Sequence, residues 1–238
     1  MKARIALSVF LTILLLGSIP ASATWSIIIV DSKTKEIGIA GASCTPSVYG
    51  IGAIIPGKGA IIVQAMSNKI AQMTGIQMIM NGRSPKEIID SLRNEWFDPE
   101  NQQYSVVCLY KTAAVKTYTG KNVPAFSGVM TGKGISVQGN TLSDTSEIRK
   151  IMEAVLKAQK QSLPIGEQLM AALEAGSLSG GDRRCGKQRA SSAFITISKA
   201  TDDIKKPSLN LIVSNLPIGG PNAVAELRKK YNQTAVKK

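Results

Sequence analysis

The reading of the fold starts from WSIIIV at Trp25–Val30, the polar DSKTK at Asp31–Lys35, and IGIAGAS at Ile37–Ser43. Two short runs of β-branched and small apolar residues flank a turn, the pattern of a β-hairpin. Apolar and polar residues do not alternate within either run, so both faces of the hairpin are expected to be buried. Further along, Gly50–Pro56 and Ala60–Met66 read as a second strand pair across Pro56-Gly57-Lys58-Gly59. Ile70–Met80 and Pro85–Asn94 have helical periodicity, broken at Asn81-Gly82, with Ser84 as N-cap before Pro85. Tyr104–Tyr110, Ala113–Tyr118 and Gly134–Gln138 are expected strands, and Asp144–Gln159 and Ile165–Ala175 expected helices. Ala190–Ile197 and Leu209–Val213 complete the strands, and Asn222–Tyr231 is a final helix. This order implies one α+β domain in which sheets pack together with helices outside.

Residues 1–23 read differently. Lys2 and Arg4 precede an apolar run, Ile5–Leu16, and Ala21-Ser22-Ala23 has the small-x-small cleavage pattern, which together predict a secretory signal peptide. The run is shorter than a membrane span requires. Cleavage after Ala21 would place bulky Ile19 at the −3 position, so cleavage after Ala23 is favoured. The expectation is a single domain over 24–238, secreted or periplasmic, with no integral membrane segment once the signal is removed.

Composition removes whole classes of chemistry. The chain of 238 residues contains 0 histidines, which excludes a Ser-His-Asp triad, a Cys-His pair and any His-ligated metal. Cys44, Cys108 and Cys185 are too scattered for a thiolate cluster; at most one disulfide can form, and spacing does not say which. The formal net charge of +13 suits anionic envelope polymers as partners. Nucleic acid is a poor fit: aromatics are only 5%, and no basic-aromatic motif is present.

Without imidazole, three nucleophiles remain. Ser32-x-x-Lys35 lies in a turn and lacks the companion elements of a serine-lysine enzyme. Cys185 has Arg184 and Lys187 nearby to favour its thiolate, although a structural or disulfide-bonded cysteine explains it as well. The third is Thr24, which cleavage after Ala23 would expose with both a hydroxyl and a free α-amine. That amine has a reference pKa of about 7.7–8.0, so one residue would supply both nucleophile and base.

The stretch TWSIIIVD at Thr24–Asp31, Gln64-Ala65, Asn68, NGRSPKE at Asn81–Glu87, Asp98-Pro99 and Gly120 carry a resemblance that covers nearly the whole mature chain. Gln138-Gly139-Asn140, Gly180–Arg184 and Val224–Arg228 continue it. Together they resemble the domain of unknown function 1028 family, grouped with the N-terminal nucleophile (Ntn) hydrolases. The resemblance implies a four-layer αββα sandwich: two packed antiparallel sheets with helices on both outer faces. It also implies amide hydrolysis through an acyl-enzyme, with no metal or organic cofactor. Thr24 would then be nucleophile and base, and Asn140 an oxyanion donor. Asp182 with Arg183 or Arg184 would order the site or bind a substrate carboxylate, and Ser43, Gln64 and Asn68 would line it. Cys185, Trp25 in place of phenylalanine, and Asn101-Gln102-Gln103 without a preceding arginine depart from the family pattern. The functional expectation is an exported amidohydrolase acting on a small amide or peptide bond. The alternative is a non-catalytic envelope binding or assembly module with a basic surface, either one open to homo-oligomerisation.

Overall fold

The hairpin forms: β1 (Thr24–Val30) pairs antiparallel with β2 (Ile37–Ser43), from Thr24 opposite Ser43 to Val30 opposite Ile37. Every residue of both strands is buried. The computed structural model describes residues 24–109 and 113–235. The expected signal peptide over 1–23 lies outside them, as does Tyr110 at the end of an expected strand.

β1 and β2 are inner strands of a six-stranded sheet. Their neighbours are β7 (Gly128–Gly132) and β8 (Ile135–Asn140) on one side, and β9 (Ser192–Ser198) and β10 (Leu209–Val213) on the other, in the order β10-β9-β2-β1-β8-β7. A four-stranded sheet of β3 (Gly52–Ile55), β4 (Gly59–Ala65), β5 (Gln102–Cys108) and β6 (Ala114–Thr119) packs against it. All pairings within these sheets are antiparallel. The helices α1 (Lys69–Met80) and α2 (Pro85–Leu92) cover the small sheet. On the large sheet lie α3 (Glu147–Lys160), α4 (Ile165–Leu178) and α5 (Ala223–Ala235). The result is the expected αββα sandwich.

Three apolar layers follow from this stacking. Trp25, Ile27 and Ile29 of β1 face Leu169 and Leu173 of α4, whereas Ile28 and Val30 face the other sheet among Ile39, Ile62 and Val107. Ile61, Val63, Ile88 and Tyr104 form the third layer, under α1 and α2. Trp25 packs so closely beneath α4 that a side chain at Gly176 would reach within 2.5 Å of the indole nitrogen.

Local signals set the helix boundaries. The Asn68 Oδ1 accepts from the amides of Ile70 (2.9 Å) and Ala71 (3.0 Å), starting α1. Ser84 and Glu87 form a reciprocal capping box ahead of Pro85. Arg228 fastens α5 to α4 through Glu167 and Glu174, both at 2.7 Å. Two differences from expectation concern β8 and β7. β8 runs on to Asn140, past the expected end at Gln138, and β7 was not anticipated. The glycines and partial exposure of β7 hide the alternation that marks a strand.

Candidate active site

Pairing across the large sheet brings four polar residues into one row. Ser192 lies opposite Ser43, Ser43 opposite Thr24, and Thr24 opposite Asn140, across β9, β2, β1 and β8. All four are at most 2% exposed. Successive strand residues point to opposite faces. Because Ile28 and Val30 face the small sheet, Thr24 and Ser26 do too.

The small sheet answers with glutamines. Ser26 Oγ donates to Gln64 Oε1 at 2.5 Å, and Gln64 Nε2 donates to Gln103 Oε1 at 2.8 Å. Gln64 Nε2 also lies 3.4 Å from the Thr24 carbonyl oxygen. Gln103 Nε2 returns to the large sheet at the Gly139 carbonyl, 3.2 Å, and reaches Thr119 Oγ1 at 3.1 Å. A buried chain of side chains thus couples the backbone on both sides of Thr24. Asn140 Nδ2, Ser192 Oγ and both amide atoms of Gln138 are buried without a hydrogen-bond partner. Buried polar groups are nearly always paired, so each of these atoms is a candidate to meet a ligand.

A cleft of about 280 Å³ opens beside Thr24, lined by Thr45, Ser47, Val48, Ile51, Gln64 and Ser67 among others. Two of the left-handed non-glycine residues stand at this end of the sheets. Ala65, at the end of β4, has φ 69°, and Thr141, the residue after Asn140, has φ 51°. The left-handed region is rare for a β-branched residue, and such strain clusters at functional sites.

Behind this row, Gly180 and Gly181, with φ 129° and 62°, turn the chain after α4 so that Asp182 can enter. Asp182 is fully buried. Its Oδ2 accepts from the Cys44 amide at 2.6 Å and from Arg184 Nη2 at 2.7 Å, and its Oδ1 accepts from the amide (3.0 Å) and Nε (3.1 Å) of Arg184. A disulfide joins Cys44 to Cys185, settling the pairing that spacing left open and removing Cys185 as a free thiol. Cys108 is free and buried, and burial pushes its thiol up to about 12. At the start of α3, burial raises the carboxyl of Glu147 to about 8 against the pull of the Gly181 amide, with Asp182 and Asp144 adding to the rise.

The expected site residues therefore divide. Thr24 and Gln64 line the cleft, and Ser43 and Asn140 flank Thr24 within the sheet. Asp182 pairs with Arg184 and accepts from the Cys44 amide, while Arg183 lies over the Phe126 ring at 5.3 Å. Asn68 caps α1, and its Nδ2 donates to the Phe97 carbonyl. Sequence reasoning did not single out Ser26, Gln103, Thr45, Ser47 or Ser67. For the first two a signal existed: a lone serine inside WSIIIV, and a glutamine pair opening an otherwise apolar strand. Ser32 and Lys35 sit in the exposed turn between β1 and β2, as expected. Among the described residues no group of three or more His, Cys, Asp or Glu side chains is placed to hold a metal ion. No described helix is long and apolar enough to cross a membrane.

Residues 24–219 match the model of a family described as "Family of unknown function (DUF1028)". The chain belongs to this family. Protein SPO2555 from Silicibacter pomeroyi, a crystal structure described as DUF1028, superposes with a TM-score of 0.75 at 21% identity, covering 89% of each chain. At that identity the likeness is one of fold. No curated protein matches the chain.

Proposed function

We propose that this DUF1028 protein is an exported, N-terminal-threonine amidohydrolase of the Ntn type. The observation that carries the reading is the placement of Thr24: it begins an inner strand, borders a cleft, and lies directly opposite Asn140, whose Nδ2 has no partner. Directly opposed residues of an antiparallel pair have Cβ atoms about 4.5–5.5 Å apart, close enough for both to act on one carbonyl group. The family match also starts at Thr24.

In this mechanism, cleavage after Ala23 frees the α-amine. The amine takes the Thr24 hydroxyl proton as Oγ1 attacks the substrate carbonyl, and Asn140 Nδ2 donates to the developing oxyanion. Removing a single donor of this kind elsewhere lowers kcat by roughly 10²–10³. The protonated amine then passes its proton to the leaving nitrogen as the C–N bond breaks. Water, deprotonated by the same amine, releases the acyl group from Oγ1. The Ser26–Gln64–Gln103 chain holds the Thr24 backbone still through these steps.

The test is N-terminal sequencing of the exported protein together with Thr24→Ala. Mature protein beginning at Thr24, and a variant that loses all amidase activity while melting within a few degrees of the parent, support the reading. Another first residue, or activity retained without the hydroxyl, defeats it. The net charge of +13 favours a second reading, an envelope-binding module. Adhesion to anionic polymers that survives Thr24→Ala and weakens with salt is the expected behaviour there.

A further inference from the structure

We propose that the cleft beside Thr24 accepts a small, uncharged acyl group and discriminates against anionic ones; this rests on the reading of Thr24 as nucleophile. Size is the first argument. A cleft of about 280 Å³ holds on the order of nine water-sized volumes at ~30 Å³ each, room for a short acyl chain.

Charge is the second. The cleft walls offer the hydroxyls of Thr45, Ser47 and Ser67, the amide of Gln64, and the apolar Val48 and Ile51. Among the described residues none of the lining side chains is ionisable at neutral pH. Two cations close to the lining residues along the chain or across the Cys44–Cys185 disulfide have hydrogen-bond partners outside the cleft. Arg184 is paired with Asp182, and the Lys69 Nζ lies 2.5 Å from Gln72 Oε1, whose Nε2 in turn holds the Gly50 carbonyl. None of Asp182, Arg183 and Arg184, expected to bind a carboxylate, is among the residues lining this cleft.

The third argument concerns the base. A carboxylate entering a cleft without a cation would find its counter-charge in the α-amine of Thr24. An opposite charge within about 4–6 Å stabilises the protonated amine, and each unit of rise in its pKa removes about tenfold of the free base. An anionic acyl group would thus disable the group that must deprotonate the hydroxyl. A neutral group leaves it untouched.

The experiment uses mature protein beginning at Thr24 with two activated esters of four-carbon acyl groups, 4-nitrophenyl butyrate and 4-nitrophenyl hydrogen succinate. Thr24 Oγ1 forms the new ester bond, the carbonyl–nitrophenolate bond breaks, and 4-nitrophenolate leaves. Nitrophenolate release and intact mass are followed together, the rate of adduct formation on Thr24 is read by mass, and buffer hydrolysis of each ester, which for the succinate runs through its own carboxylate, is subtracted. Butyryl transfer to Thr24 at least about tenfold faster than succinyl transfer is the expected result. Ser47→Arg, which places a guanidinium on the exposed rim of the cleft, should narrow or reverse that ratio. Equal rates, a preference for succinate, or a ratio indifferent to Ser47→Arg overturns the neutral-cleft proposal while Thr24 remains the nucleophile. Absence of both adducts on Thr24 overturns the reading of Thr24 itself.

Discussion

The layer between the two sheets has two ends built from the same strands with opposite chemistry. Toward Val30 it is filled by Ile28, Ile37, Ile39, Ala60, Ile62 and Val107, all at most 2% exposed. Toward Thr24 the equivalent positions are Thr24, Ser26, Ser43, Gln64, Gln103 and Asn140, no less buried. The first end is held by removing apolar surface from water. The second gives up that stabilisation and leaves the Asn140 amide nitrogen unpartnered. What replaces it is covalent and ionic. The Cys44–Cys185 disulfide and the Asp182–Arg184 pair tie the exit of β2 to the turn after α4, at the Thr24 end. A polar, pre-arranged cleft and a well-packed core cannot occupy the same volume, and this fold assigns them to opposite ends of one hairpin.

Severing the disulfide should break the comparison most visibly. It closes a loop spanning 141 residues, for which chain-entropy reasoning gives about 5 kcal/mol. Reduction, or Cys44→Ala with Cys185→Ala, is expected to lower the urea midpoint by a matching amount. Hydrogen exchange should accelerate around Ser43 and Asp182 before it does around Ile37. A loss below about 1 kcal/mol would mean that hydrogen bonds alone sustain the polar end.

The apolar end responds to a smaller cut. Ile28→Ala removes a fully buried side chain from the layer between the sheets, and truncations of this kind cost about 2–5 kcal/mol. Denaturant unfolding should register that loss with the rate of Thr24 acylation nearly unchanged, because Ile28 is not among the residues lining the cleft. A parallel fall in rate would show that the two ends are mechanically coupled.

The two ends also differed in how far they could be read beforehand. The apolar end was legible because unbroken runs such as WSIIIV carry the mark of strands buried on both faces, and the layer order followed from the succession of runs. Thr24 and Asn140 were placed by the resemblance and by the cleavage pattern. Their direct opposition is a matter of register, which local sequence does not carry. Asp182 was expected to work with Arg183 or Arg184, but its commitment to the Cys44 amide depends on a contact between residues 138 apart. Ser26 was passed over because it stands alone in an apolar strand, and Gln103 because it sits with Gln102 at the polar start of one. Their meaning appears only when the sheets stack and the two meet through Gln64.

Acidity offers a finer probe of the polar end. The Glu147 carboxyl is raised from 4.5 to about 8, first by burial and then by Asp182 and Asp144, with the Gly181 amide and Lys150 opposing. The folded protein therefore holds this proton more tightly than the unfolded chain does. Its contribution to stability is complete below about pH 4.5, is lost as pH rises toward 8, and is flat above that. Over the window the slope approaches about 1.4 kcal/mol per pH unit for one proton. Glu147→Gln, which does not titrate, should abolish this component of the dependence of melting temperature on pH between 5 and 8. An unchanged slope would assign it to other groups.

The smallest expected change in stability is the one that most sharpens the contrast. Ser26 and Ile28 are two residues apart on β1 and point the same way, one into each kind of packing. Ser26→Ala deletes one hydroxyl and leaves Gln64 Oε1 without its 2.5 Å donor. Net hydrogen-bond contributions of this type are about 1 kcal/mol, so unfolding should shift far less than for Ile28→Ala. The catalytic effect should run the other way. Gln64 would be free to turn, its contacts with the Thr24 carbonyl and Gln103 would loosen, and the nucleophile would lose its fixed backbone. A fall in kcat larger than the change in KM, restored by Ser26→Thr, is the signature of a positioning residue. If Ser26→Ala instead unfolds the protein as readily as Ile28→Ala and leaves kcat alone, the polar end is core by another means, and the division between the two ends disappears.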